Sequence, residues 1–203
     1  MNRTFITSIS IQPTGMLKRV LYQPMEFQLT KNRETSFPIL PIIAEYMEGN
    51  PEENTIIAII PDNVNAMENY SIFKEELARL GISKKQILEI DCAKNQGKRG
   101  SITMLLELLE KIPEDSCIYT DITYNTKTMS AMVIYAMQFI EKIKNTEVEG
   151  IYYGELTRDR EGKPTGMFLY DITIFKHFSD IFEQLQILGA TDITGSLKKL
   201  IEE

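Results

Sequence analysis

Cys117 to Lys127, CIYTDITYNTK, decides the reading of this chain. A short apolar run, Cys117-Ile118-Tyr119, passes into Thr120 and Asp121, and a polar loop follows. A long amphipathic segment then opens near Thr126. That order describes a buried parallel strand whose C-terminal end leads through a loop into a helix. In an open α/β sheet, ligands sit in the crevice outside the C-terminal ends of the strands. The unpaired N–H groups of the first helical turn, flanked by Thr123, Asn125, Thr126, Lys127 and Thr128, make a candidate anion cradle.

The neighbouring segments extend the same pattern. Asn54 to Ile60, NTIIAII, is the near-continuous β-branched run expected of a strand buried on both faces. Pro61-Asp62-Asn63 stops it, and Asn65 to Leu80 is an amphipathic helix closed by Gly81. Gln86 to Asp91 reads as another short strand, followed by CAKNQGKRG and a helix over Ser101 to Lys111. Thr126 to Lys144 is the longest helix. Its Met129, Met132, Val133, Ala136, Met137, Ile140 and Ile143 form one stripe suited to a core or a dimer interface. A β-α-β-α-β-α run from 54 to 144 demands a parallel sheet with right-handed crossovers.

Thr4 to Ser10, TFITSIS, reads as the first strand and ends at the loop marked by Pro13 and Gly15. Lys18 to Gln23 reads as a second short strand, so that the chain opens with a hairpin. Phe37 to Met47 has apolar residues at helical spacing, with Pro38 in the tolerant first turn. Val148 to Tyr153 and Met167 to Asp171 read as strands of a second hairpin around RDREGKPTG. Ile172 to Leu188 and Thr194 to Ile201 read as helices. The expected fold is α/β: a Rossmann-like open, mainly parallel sheet flanked by helices, with a C-terminal β-hairpin and helical appendage. Residues 1–175 are read as the ligand-binding domain. Residues 176–203 are read as the appendage, either within the same compact unit or as the start of a linker.

A chain of 203 residues suits one domain. Its net charge of −7 argues against partnership with long nucleic acid. Cys92 and Cys117 lack metal-ligand spacing, and the single His177 supplies neither a catalytic triad nor a paired-histidine metal site. No apolar run approaches the roughly 20 residues of a membrane span, and MNRTFITSIS does not resemble a secretion signal. The expectation is a reduced, cytoplasmic protein with no cofactor, metal or membrane partner.

Four loops fall at expected strand C-ends: Ser8 to Gly15, Pro61 to Asn65, Asp91 to Gly100, and Asp121 to Thr128. In a doubly wound sheet the first strand and the strand across the order reversal flank the crevice, which selects the first and last loops. Ser8, Ser10 and Gln12 therefore join Asp121, Thr123, Tyr124, Asn125, Thr126, Lys127 and Thr128 as candidate ligand contacts. Lys94 to Gly100 is the most basic glycine-containing loop, yet it has neither the GxGxxG nor the GxxxxGK[ST] spacing. Its Gln96 and Lys98 are candidates for a lid or a phosphate contact. Asp91 and Asp121 end neighbouring strands, where acidic side chains also satisfy loop N–H groups.

Together these motifs resemble the CARF (CRISPR-associated Rossmann fold) family, especially its branch with an Asp-x-Thr-His-Gly signature after the central strand. Asp121-Ile122-Thr123-Tyr124-Asn125 corresponds to that signature, with Tyr124 and Asn125 in place of its His and Gly. Thr126-Lys127-Thr128 stands where the family often has an aromatic residue, Arg and Ser. FITSIS is similar to the opening motif, IIPDNVNAMENYSIFKEEL to the third segment, and IYYGEL to the strand after the long helix. The likeness spans most of residues 3–175.

The resemblance implies that a homodimer binds one cyclic oligoadenylate (tetra- or hexa-adenylate), the second messenger of type III CRISPR antiviral defence. It implies either a ring nuclease or a regulatory sensor, or else the sensor portion of a longer effector. A Rossmann-type enzyme using a nucleotide cofactor is the alternative, opposed by the missing glycine fingerprint. If the ring is cleaved, the expected route is metal-independent. The ligand's own 2′-hydroxyl attacks the adjacent phosphorus and expels the 5′-oxygen, which leaves 2′,3′-cyclic-phosphate ends. Lys127 would then stabilise phosphate charge and Ser10 would orient the sugar.

Overall fold

Side chains alternate across a strand, and the run NTIIAIIP uses that alternation to divide the molecule. Ile56, Ala58 and Ile60 enter one buried cluster, while Ile57 and Ile59 enter the other. Both faces of this strand are therefore covered, as its apolar continuity requires. The computed structural model describes residues 2–47, 53–92, 97–161, 164–187, 189 and 192–195. The strands are β1 (Asn2–Ser8), β2 (Gln23–Met25), β3 (Asn54–Pro61), β4 (Ile87–Cys92), β5 (Ser116–Asp121), β6 (Glu147–Arg158) and β7 (Pro164–Asp171). The α-helices are α1 (Ile39–Tyr46), α2 (Val64–Arg79), α3 (Lys98–Lys111), α4 (Lys127–Ile143) and α5 (Ile174–Ile187).

One sheet runs in the order β2-β7-β6-β5-β1-β3-β4. Only the β6–β7 pairing is antiparallel, so β7 and its parallel neighbour β2 run against the other five strands. The fold is a Rossmann-like open α/β sheet. From β1 the chain builds outward to β3 and β4, then crosses back to β5 and β6 on the other side. The order thus reverses between β1 and β5, where Ile6 pairs with Thr120 and Thr7 with Asp121.

Helices α1 and α2 cover one face through Ile39, Leu40, Ile42, Ile43, Phe73 and Leu77. On that face Tyr119 stacks between Phe5, at 5.2 Å, and Tyr46, at 4.7 Å. Helices α3 and α4 cover the other face through Met104, Leu108, Val133, Met137 and Ile140. Helix α5 lies against α4, held by the Lys176–Glu141 ion pair at 2.6 Å and by Lys142–Asp180 at 3.3 Å. Lys144, just past α4, donates to the carbonyls of Leu109 and Ile112 at 2.6 Å each. A cation there also complements the negative end of the α3 dipole. Among the described residues, no helix is long and apolar enough to cross a membrane.

The opening hairpin is corrected. β1 is flanked by β3 and β5 and has no free edge for a partner from residues 18–23. Val20 instead makes an isolated antiparallel bridge with Thr35. The short strand shifts to Gln23–Met25 at the sheet edge, the position where Pro24 and its missing N–H are tolerated. Helix α3 starts at Lys98, three residues before the expected Ser101. Gly97 serves as its N-cap, and the Gly97 carbonyl accepts the Ser101 N–H at 3.0 Å. Strands β6 and β7 run well past Tyr153 and begin before Met167, so the hairpin excursion is shorter than read. Gln96, and most of the helix read over Thr194 to Ile201, lie outside the described residues.

Candidate functional site

At the C-terminal ends of β1, β3 and β5 the strands stop at different heights, and their loops leave a cleft of about 370 Å³. Its described lining comes from all four strand-end loops. Ser8, Ser10, Ile11 and Gln12 come from the first, and Pro61, Asp62 and Asn63 from the second. Cys92 comes from the third, and Thr123, Tyr124, Asn125 and Thr126 from the fourth, with Met129 in the first turn of α4. The expectation selected the first and last loops and added Gln96 and Lys98 of the third, and the topology brings a part of all four loops together.

The first loop is fixed from below. The Ser10 hydroxyl accepts the Gln12 N–H at 3.2 Å, and Ser10 is 1% exposed. Asn69, fully buried on α2, donates from Nδ2 to the carbonyls of Ser10 (2.8 Å) and Gln12 (2.9 Å). Ser8 is equally buried, and its hydroxyl reaches the Ile59 carbonyl only at 3.5 Å, the outer limit of a hydrogen bond. Ser10 thus acts within its own loop, and Ser8 retains capacity for another partner.

The fourth loop is fixed by Asp121, which is 1% exposed and does not line the cleft. One carboxylate oxygen accepts the Thr123 N–H at 3.0 Å and the Thr123 hydroxyl, and the other accepts the Thr7 hydroxyl at 2.8 Å. Thr123 in turn accepts the Gly154 N–H at 2.7 Å, which ties the loop to β6. A Cβ at Gly154 would lie 3.0 Å from Pro38 and 3.1 Å from the Thr123 hydroxyl, so this close approach calls for glycine. Burial raises the Asp121 carboxyl to about 6, although the bonds from Thr123 and Thr7 pull it back down. The residue that heads the signature-like stretch is therefore a brace beneath the loop.

Tyr124 packs edge-on against Phe37 at 6.4 Å and donates to the Ser36 carbonyl at 2.9 Å. It also hydrogen-bonds the buried Tyr22. Burial pushes the Tyr124 hydroxyl up to about 12, so it stays protonated at neutral pH. Two helices begin at the cleft. Asn63 caps α2 by accepting the Asn65 N–H at 2.8 Å, and Thr126 caps α4 by accepting the Met129 N–H at 3.3 Å. Remaining first-turn N–H groups have no partner within their helix.

Lys127, Thr128 and Lys98 are exposed and lie outside the lining. Among the described lining residues there is no Lys or Arg, and Asp62 is the one charged group. Ile11, Pro61, Asp62, Asn63, Cys92 and Met129 line the cleft without having been selected from the sequence. Their signal was position alone: each ends or follows a strand, or opens a helix. No family model matches the chain, and no curated protein matches its sequence.

Proposed function

We propose that this chain binds a cyclic oligoadenylate as a homodimer, in type III CRISPR antiviral signalling. The observation that carries this reading is the cleft at the reversal of sheet order, the position where open α/β sheets hold their ligands. Its lining suits a nucleotide. Hydroxyls of Ser8 and Thr126 and amides of Gln12, Asn63 and Asn125 stand beside the apolar Ile11, Pro61 and Met129. Phosphates would be met by the N-termini of α2 and α4, since the described lining offers no cation.

A volume of about 370 Å³ lies near the lower bound of small-molecule sites. A ring of four or six nucleotides needs more room than that. An isologous pair of chains brings two such clefts together about a twofold axis and meets a twofold ligand with every loop twice. Helix α4, which starts at the cleft, leaves Tyr135, Phe139 and Ile143 exposed at four-residue spacing. That uncovered stripe supports pairing of chains. Of the two residues expected to serve cleavage, Ser10 lines the cleft and its hydroxyl accepts the Gln12 N–H, whereas Lys127 lies outside the described lining.

Titration calorimetry with cyclic tri-, tetra- and hexa-adenylate, alongside sedimentation, tests this. One ring per two chains is expected with the tetra- or hexa-adenylate. The absence of saturable binding by all three rings, or a monomer both with and without the ring, would sink it. Lys127→Ala is expected to weaken binding by only about 0.2–1 kcal/mol, the scale of an exposed charge contact. A hundredfold loss in the folded variant would put Lys127 in the site.

A further inference from the structure

Asn125 lines the cleft, and both polar atoms of its carboxamide are buried with no hydrogen-bond partner. Among the described residues it is the only amide in that state. Asn69 and Asn32 each leave an oxygen unpaired but use their nitrogens on backbone carbonyls. A buried amide without partners is unfavourable, because the bonds it made to water in the unfolded chain are not replaced. No hydrogen bond has to break for the Asn125 side chain to rotate towards the cleft. Its backbone N–H is held only by a long turn contact of 3.4 Å to the Ile122 carbonyl.

We infer that Asn125 is the base-reading residue of this site, pairing its amide with the edge of an adenine. The inference rests on the cyclic oligoadenylate reading above. A carboxamide presents one donor and one acceptor side by side, which matches the adenine N6 amino group and the adjacent ring nitrogen. That ring nitrogen is N7: on the same edge hypoxanthine presents two acceptors, O6 and N7, so a carboxamide in either orientation sets its oxygen against one of them. The neighbours reinforce the assignment. Thr123 is committed to Asp121 and Gly154, Tyr124 to Ser36 and Tyr22, and Ser10 to Gln12. Between β5 and α4 the side chains of Thr123, Tyr124 and Thr126 each have a partner, and that of Asn125 has none.

Two measurements on the full chain test this. The first is thermal melting without ligand. Asn125→Ala deletes an unpaired group, so the melting temperature is expected to hold or rise. A fall of several degrees would mean that the amide has a partner within the protein, and would overturn the assignment. The second compares binding of cyclic tetra-adenylate, or of the ring size that binds, with its all-inosine counterpart. The wild-type chain is expected to favour the adenine ring on the order of ten- to a hundredfold. Asn125→Ala is expected to bind both rings with nearly equal affinity. Discrimination kept in full by Asn125→Ala would assign base reading to another residue. Failure of the wild-type chain to bind either ring would remove the ring-binding reading itself, and the assignment with it.

Discussion

Glu141→Gln is expected to lower the unfolding free energy by about 3 kcal/mol, more than loss of its partner does. Lys176 is buried at 5% exposure, and its ammonium has two acceptors, Glu141 at 2.6 Å and the Val148 carbonyl at 2.9 Å. Removing the carboxylate charge leaves a buried cation facing neutral oxygens, the costlier half of a broken pair. Lys176→Met leaves Glu141 instead, whose side chain is 26% exposed and still accepts the Val148 N–H at 2.9 Å. That variant is expected to lose only about 1–2 kcal/mol, because the apolar stem is replaced and water can reach the carboxylate. The double variant should sit near the Lys176→Met value, which gives a large positive coupling in a double-mutant cycle. Urea unfolding reads all three, and amide exchange in α5 should report the same ranking, since the pair fastens that helix to α4 and β6. Equal losses for the two single variants would refute the asymmetry.

How much of this was legible depended on whether a signal was local. β3 was readable because an unbroken β-branched run has one good home, between two helical layers. α2 and α4 were readable because their stripes, their caps at Asn63 and Thr126, and Gly81 agree on the same boundaries. Gly81 takes φ +84°, a left-handed turn that glycine makes without strain. β2 was misplaced because its partner, β7, lies some 145 residues further on, and a three-residue strand has no periodicity to read. α3 was begun late because Lys98-Arg99-Gly100 opposes the usual preference for acidic residues in a first turn.

The site divides in the same way. Its position followed from topology, so Ser8, Gln12, Thr123, Asn125 and Thr126 could be chosen from the sequence. Which residues line the cleft and which brace the loop could not. Asp121 and Asn125 are both polar and four residues apart, yet one is fully bonded and the other wholly unpartnered. That difference depends on Thr7, which is 114 positions from Asp121.

The brace itself carries the second large effect. Thr123→Val keeps the shape of the side chain and removes the hydroxyl that donates to Asp121 and accepts from Gly154. A charge-assisted bond is lost and a backbone N–H is orphaned, so about 2–4 kcal/mol of stability is expected to disappear. The pH dependence identifies the group responsible. The Asp121 carboxyl holds its proton to about 6 in the folded chain, against 3.8 as its ordinary value. Between those values the folded state binds more protons than the unfolded one, so stability falls as pH rises from about 4 to 6 and then levels off. A shift of about two units corresponds to roughly 3 kcal/mol across that window. Asp121→Asn is expected to abolish this slope. Its oxygen still accepts both Thr123 donors, and its amide can donate to Thr7, whose own proton is free to turn to the Ser8 carbonyl at 3.4 Å. At neutral pH the Asn variant should therefore match or exceed the parent in stability, whereas Thr123→Val falls below it. Chemical denaturation of the three chains at half-unit steps from pH 4 to 7 decides the matter. A slope that survives in Asp121→Asn would move the titrating group elsewhere.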